Sequence, residues 1–155
     1  AYMEDWYGQP IPELTREQES VAASLLWLLR GDAGQRALMA WSMGWQSARQ
    51  VSGAEWMPPF LGQLLEDPYD AVRFIAARSL RQSKAFAKLE YKFFGSLEKR
   101  AVSHRHVLDI WNALPLPRNQ SGREELLIDH TGKVRGELFD RLLLQRDDQL
   151  VSLAE

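Results

Sequence analysis

The sequence predicts a mainly α-helical fold in which helical hairpins stack on one another. Three observations support this prediction. Apolar residues recur at helical spacing in five segments between residues 15 and 113, helix-start signals precede several of these segments, and a pattern in residues 28–43 returns in residues 64–80. The 155 residues are 45% apolar and 26% charged, which suits one domain with its own core.

The first helices are predicted from their boundaries. Thr15 and Gln18 have the spacing of a capping box, so a helix is expected over residues 15–30. A second helix is predicted over residues 34–45, and the polar stretch QSARQVSG (46–53) is expected to be a loop.

A third helix is predicted over residues 54–65, with Pro58 and Pro59 delaying its start. The stretch DPYDAVRFIAARSLR (67–81) predicts a fourth helix, with Asp67 as N-cap and Pro68 at the first helical position. One face of this helix is apolar or small: Val72, Ile75, Ala76, Ser79 and Leu80.

Residues 28–43 align with residues 64–80 at a period of about 36–37 residues, which is typical of helical-hairpin repeats. Each hairpin has an apolar stripe too wide to bury alone, so stacking is predicted. The aligned pairs are Leu28-Leu29 with Leu64-Leu65, Arg36 with Arg73, Ala40 with Ala77, and Met43 with Leu80.

The pattern D-P-x-x-x-V-R-x-x-A-A-x-x-L resembles the second helix of a HEAT repeat, and residues 15–45 resemble such a repeat without the Asp-Pro start. The resemblance implies a short α-solenoid whose usual work is protein binding. It assigns structural roles to Asp67 and Arg73 and implies no catalytic residue. The residues that match are Asp67, Pro68, Val72, Arg73, Ala76, Ala77 and Leu80.

A second resemblance concerns a particular group of such proteins. The phrases LLRGDAGQRALMAWSMGW, DPYDAVRFIAARSLR and RDDQLVSLAE are similar to HEAT-type regions fused to bacterial multihaem cytochrome c-like proteins. This resemblance implies an accessory domain in a periplasmic or otherwise exported protein; without it, a cytoplasmic location is expected. The chain has no cysteine and so no CxxCH motif, and any haem would bind to other sequence.

We expect one HEAT-like domain over residues 1–155 that belongs to a longer protein. Residues 1–14 are expected to form an extended arm, residues 15–82 two hairpin repeats, and residues 83–155 a degenerate repeat and cap. Within the cap, helices are predicted over residues 96–113 and 137–145. The segments with strand-like character are 88–94, 126–133 and 151–154.

Few residues suggest chemistry. The absence of cysteine excludes disulfides and thiol catalysis within the chain, and no stretch reaches the roughly 18 apolar residues of a membrane span. His104 and His106 are two residues apart on a predicted helix and face different sides, so no metal site is expected. Asp129 begins a turn rather than a calcium loop, because Val134 stands where that loop needs glycine. No cofactor and no enzymatic activity are predicted.

The distribution of charge suggests where a partner would bind. Residues 73–105 hold nine Lys or Arg and two Glu, a local balance of +7 in a chain of net charge −2. Aromatic residues lie between them, a combination that can also bind nucleic acid, although these charges can equally pair with the acidic remainder. Trp41 and Trp45 are expected in the core between repeats, or at an interface if exposed. The candidate partner-binding residues are Arg78, Arg81, Lys84, Lys88, Lys92, Trp41 and Trp45.

The function predicted is a non-catalytic scaffold that binds a protein or a neighbouring domain of the same chain. Two alternatives remain: an accessory domain of a multihaem electron-transfer protein, and a nucleic-acid-binding protein or DNA glycosylase on the same fold. Arg73→Ala is expected to destabilise the fold, whereas Arg78→Ala and Arg81→Ala are expected to affect binding alone. Oligomeric state is left open.

Overall fold

A computed structural model describes residues 13–115 and 123–149. Within these ranges the chain forms eight α-helices and no β-sheet, which confirms the prediction of a mainly helical fold. Three short 3₁₀ turns connect the helices, at Leu64–Glu66, Lys84–Phe86 and Glu124–Leu126. The helices are α1 (Arg16–Ser20), α2 (Ala23–Arg30), α3 (Ala33–Ser42), α4 (Gln46–Ser52), α5 (Pro58–Gln63), α6 (Asp70–Leu80), α7 (Leu97–Ala113) and α8 (Gly136–Leu144).

The helices pack as two hairpins with additional cover. Helices α2 and α3 form the first hairpin, α5 and α6 form the second, and the second helices α3 and α6 pack against each other. Helix α7 packs on α5, and α8 packs on α2. The core lies between these layers, and its fully buried large side chains include Leu25, Leu28, Leu29, Phe60, Leu64, Leu65, Leu80, Phe86 and Leu142.

The two second helices share one register. Arg36 is the fourth residue of α3 and Arg73 is the fourth residue of α6. Both arginines are buried, as are the aligned pairs Ala40 with Ala77 and Met43 with Leu80. The alignment of the two segments at a fixed offset therefore corresponds to equivalent positions in the packed structure.

Two predicted boundaries in the first half are wrong. The first helix is broken after Ser20, because Val21 is extended and the Ala22 N–H donates to the carbonyl of Glu125 at 2.8 Å. The predicted loop 46–53 is largely helix α4. A contact distant in sequence accompanies this helix, since Arg49 donates from Nη1 to the carbonyl of Gln82 at 2.7 Å.

Asp67 is not the N-cap of the fourth helix. Helix α6 begins at Asp70, Tyr69 occupies the N-cap position, and Pro68 lies outside the helix. The Asp67 carboxylate is fully buried and accepts hydrogen bonds from Arg36 and from the backbone N–H of Tyr69. The Asp67 carboxylate therefore pairs with an arginine of the neighbouring hairpin and with the N–H of the residue that precedes α6, and it caps no N–H within α6.

The strand predicted over residues 88–94 is wrong, because this segment has no regular ladder; two of its carbonyls, at Leu89 and Tyr91, instead accept from Arg81. Residues 126–133 contribute only an isolated bridge, Ile128 with Val134, among the described residues. The predicted extended arm (1–14) falls almost entirely outside the described residues, as does the predicted strand 151–154.

The turn after Ile128 is closed by Asp129, as the sequence predicts. Its carboxylate accepts from the hydroxyl and backbone N–H of Thr131 and from the backbone N–H of Lys133. These hydrogen bonds, first of all the one from the Thr131 hydroxyl, lower the pKa of Asp129 below its ordinary value.

The remaining boundaries are close to prediction. Pro58 is the first residue of α5, so the two prolines delay this helix as expected. Ser96 caps α7 by accepting from the Lys99 N–H at 3.4 Å, and the final helix is present as α8.

Leucines on α8 provide a test of its packing. Leu142 is fully buried and Leu144 is 88% exposed. Replacing either leucine by alanine removes the same atoms, so any difference in stability reflects the environment of the side chain. We expect Leu142→Ala to lower the free energy of unfolding by about 2–5 kcal/mol, and Leu144→Ala to change it by less than about 0.5 kcal/mol. Urea denaturation followed by circular dichroism measures both values, and equal small losses would show that α8 does not close the core.

Candidate functional site

A buried ion pair joins the two hairpins. Arg36 on α3 places Nε 2.7 Å from Oδ2 of Asp67 and Nη2 3.2 Å from Oδ1, a bidentate arrangement between two fully buried side chains. The same guanidinium donates from Nη1 to the carbonyls of Gly31 at 2.6 Å and Asp147 at 2.8 Å. Its Nη2 also lies 3.3 Å from Oδ1 of Asp148, so this arginine connects both hairpins to the C-terminal residues.

Arg73 holds the entry to α6. It donates to the carbonyls of Asp67 at 2.5 Å and Pro68 at 2.8 Å, forms an ion pair with Asp70, and reaches the carbonyl of Phe93 at 2.6 Å. The Arg73 side chain is buried and therefore not accessible to a binding protein. The structural role expected for Arg73 agrees with this geometry.

Arg81 also has a structural position, although it was expected to serve binding alone. Its Nε donates to the carbonyl of Leu89 at 3.0 Å, and Nη2 reaches the carbonyl of Tyr91 at 3.4 Å. Arg81 therefore holds the segment after α6 against the body. The Arg81 guanidinium forms its hydrogen bonds within the fold, whereas that of Arg78, three residues earlier, bonds to no described residue.

An open groove lies between the C-terminal ends of α3 and α6, with a volume of about 290 Å³. Gly44 permits the close approach of the two segments here, because a Cβ atom at this position would lie 2.6 Å from Oγ of Ser79. The groove is lined by Trp41, Gly44, Trp45, Gln46, Ile75, Arg78, Ser79 and Gln82.

The tryptophans of the groove are not core residues. Trp41 is 43% exposed and Trp45 is 50% exposed, and their rings meet edge to face with centroids 4.3 Å apart. The core location expected for this pair is therefore wrong, and the expectation that an exposed pair marks an interface stays a prediction. Trp27 on α2 is also exposed, outside the groove lining.

The basic segment has part of its aromatic residues at the surface: Phe94 is exposed and meets Phe93 edge to face, and Phe93 meets Phe74 in the same way. Lys84, Lys88 and Lys92 are exposed and make no ion pair with a described residue. Phe86, which lies between them in sequence, is buried in the core. Tyr91 is half-buried and donates its hydroxyl to the carbonyl of Leu65 at 2.5 Å, and burial raises its pKa to about 12.

A second polar cluster lies where α7 meets the end of α5. Nδ1 of His104 is 2.5 Å from Oε1 of Glu66, both side chains being partly buried. Arg100 donates to the carbonyl of Asp67 at 3.4 Å, and its buried Nε has no hydrogen-bond partner. In the ranges 13–115 and 123–149, no group of three potential ligands is arranged to hold a metal ion.

Sequence reasoning found the tryptophans and Arg78 separately but did not bring them together. The signal was present, because the offset of 37 residues that aligns Arg36 with Arg73 also aligns Trp41 with Arg78. Equivalent positions on neighbouring second helices lie side by side. The same offset places Trp45 opposite Gln82, another lining residue.

Comparison of the chain with protein-family models, with curated proteins and with solved structures finds no match. None of the described helices is both long enough and apolar enough to cross a membrane. The chemistry of the chain's own surface is therefore the basis for a functional proposal.

Arg73 and Arg78 lie on α6 and Arg81 follows its last residue, and the three differ in burial. Substituting each one therefore tests which arginine stabilises the fold and which is an exposed surface residue. We expect Arg73→Met to lower the free energy of unfolding by about 3 kcal/mol, because four acceptors lose a charged donor. Arg81→Met should cost about 1–2 kcal/mol, and Arg78→Met less than about 0.5 kcal/mol. Methionine keeps the apolar stem in each case.

Urea denaturation of the three variants and the wild type measures these differences. A loss for Arg78→Met equal to that for Arg73→Met would contradict the assignment of Arg78 as a free surface charge.

Proposed function

We propose that this chain is a non-catalytic scaffold that binds a protein partner, or a neighbouring domain of a longer chain, through the groove between α3 and α6. The observation that supports this proposal most directly is the exposed Trp41–Trp45 pair beside Arg78. Tryptophan and arginine are the residues most enriched at the energetic centres of protein interfaces.

The position of the tryptophans also favours binding. Burial of a large aromatic side chain is favourable, but Trp41 and Trp45 keep about half of their surface in water in the isolated chain. A partner that covers both rings would remove this surface from water, and the free energy of that burial would contribute to binding. Leu38, one turn before Trp41 on α3, is exposed as well and extends the apolar surface.

A HEAT-like α-solenoid is part of the proposal. It is supported by the shared register of α3 and α6 and by the Arg36–Asp67 bridge from one hairpin to the next. If the fold is such a solenoid, the groove lies on the surface formed by the second helices, where such folds usually bind proteins. The exposed face of α6 contributes Phe74 and Arg78 to that surface.

The composition of the groove supports binding over catalysis. Its lining, as far as the described residues define it, includes no Asp, Glu or His to act as general acid or base. Ser79 is the only hydroxyl residue among the lining residues that the structure describes; it is buried and adjoins Gly44. The DNA glycosylase alternative requires a carboxylate in the binding site, and the described residues that line this groove include none.

Protein is favoured over nucleic acid because phosphate binding needs several converging cations. Arg78 is the single cation among the described residues of the groove lining, and Arg73 and Arg81 donate to carbonyls within the fold. Phe86 is buried, and the exposed Phe94 lies outside the described groove lining.

Selection from a displayed library of random peptides tests the proposal. Peptides enriched on the wild-type chain should bind the double variant Trp41→Ala/Trp45→Ala at least about tenfold more weakly, as expected for loss of interface centres. Trp27→Ala is the matched control, since Trp27 is similarly exposed but lies outside the groove lining.

Circular dichroism and urea denaturation of the double variant are expected to show that it remains folded, because both side chains are exposed. Failure to enrich any peptide whose binding depends on Trp41 and Trp45 would overturn the proposed binding function, as would equal binding to the double variant.

A further inference from the structure

We infer that the groove recognises an acidic protein segment, one in which an Asp or Glu lies close to a large apolar side chain. This inference rests on the proposed binding function and specifies the chemistry of the partner. It depends on three properties of the lining residues: their charge, their hydrogen-bonding groups and their apolar surface.

Charge is the first property. Among the described lining residues Arg78 is the only charged one, and no carboxylate within residues 13–115 and 123–149 forms an ion pair with it. It is exposed, in contrast to Arg73 and Arg81, whose guanidinium groups donate to backbone carbonyls. An arginine fork matches the geometry of a carboxylate and binds it through two parallel hydrogen bonds.

Hydrogen-bond donors are the second property. The indole N–H groups of Trp56 and Trp111 donate to the carbonyls of Ser52 at 3.1 Å and Glu55 at 2.7 Å. Those of Trp41 and Trp45 donate to no described residue, so the residues that line the groove include two tryptophans with an unused indole donor as well as Arg78. A surface rich in donors is complemented by an acceptor, and a carboxylate is acceptor-only when ionised.

Apolar surface is the third property. The indole rings of Trp41 and Trp45 form walls beside Ile75, while Gly44 and Ser79 add little bulk. A volume of about 290 Å³ is at the lower end for small-molecule sites and suits one or two side chains better than a whole cofactor. The partner therefore contributes an apolar anchor as well as its carboxylate.

A cationic partner fits less well. Exposed tryptophan faces attract cations. Arg78 opposes this attraction because it carries a full like charge, and a cation leaves the hydrogen-bond donors of the groove without acceptors. For a carboxylate, the interaction with Arg78 is attractive and the donors gain an acceptor.

The experiment uses the peptides selected on the wild-type chain and measures dissociation constants by fluorescence anisotropy. Peptides that depend on Trp41 and Trp45 are expected to be enriched in Asp or Glu beside an aromatic or aliphatic residue. Replacing that acid by its amide should weaken binding about tenfold, and Arg78→Glu should weaken binding of the acidic peptide by at least as much.

Arg105→Glu is the control for net charge, because Arg105 is exposed on α7, makes no ion pair with a described residue and lies outside the groove lining. It should change the dissociation constant by less than about threefold. A library selected on the Arg78→Glu variant should shift from acidic peptides towards peptides containing Lys or Arg.

The outcomes separate this inference from the proposed function. Groove-dependent peptides that are neutral or basic and insensitive to Arg78→Glu would overturn the inference and leave the binding function standing. The absence of any groove-dependent peptide would overturn both. Displacement of the acidic peptide by a single-stranded oligonucleotide at lower concentration than by free peptide would identify nucleic acid as the ligand and contradict the inference.

Discussion

The buried ion pair between Arg36 and Asp67 is the interaction on which the rest of the structure depends. Removing two charges from water costs several kcal/mol for each ion, and their attraction compensates only when the remaining polar atoms are also satisfied. Here they are satisfied by the carbonyls of Gly31 and Asp147 and by the N–H of Tyr69. The pair and these partners connect the first hairpin, the second hairpin and residue 147 in one hydrogen-bonded group.

The position of the pair explains the position of the groove. Arg36 lies near the start of α3 and Trp41 lies five residues later, about 7.5 Å along the helix. Fixing the start of α3 against the entry to α6 in a shared register sets the two helices side by side along their length. Trp41 then lies beside Arg78, and the groove opens where the two helices end.

Much of the fold was predictable because local sequence determines it. Ser96 and the apolar stripe that follows define α7, and Pro58 marks the start of α5. The helix at 46–52 was missed because its sequence is polar and one of its side chains, Arg49, is held by a carbonyl distant in sequence. The break at Val21 likewise accompanies a hydrogen bond to Glu125, more than a hundred residues away.

The candidate site was predictable in part for a similar reason. A stripe of tryptophans at helical spacing is typical of a core, and only the packing of α3 on α6 shows that Trp41 and Trp45 lie at its edge. Arg81 differs from Arg78 because the carbonyl of Leu89 lies within hydrogen-bond distance of Arg81 and accepts from it. Such information is in the tertiary structure, whereas the 37-residue offset that pairs Trp41 with Arg78 was present in the sequence.

A double-mutant cycle on Arg36 and Asp67 tests the central claim most directly. The free energies of unfolding of Arg36→Met, Asp67→Asn, the double variant and the wild type are measured by urea denaturation. If the pair joins the hairpins, each single variant loses about 3–5 kcal/mol and the double variant loses clearly less than the sum, with a coupling energy of at least about 1.5 kcal/mol. Losses that add within about 0.5 kcal/mol would show that the two residues act independently and would contradict this account.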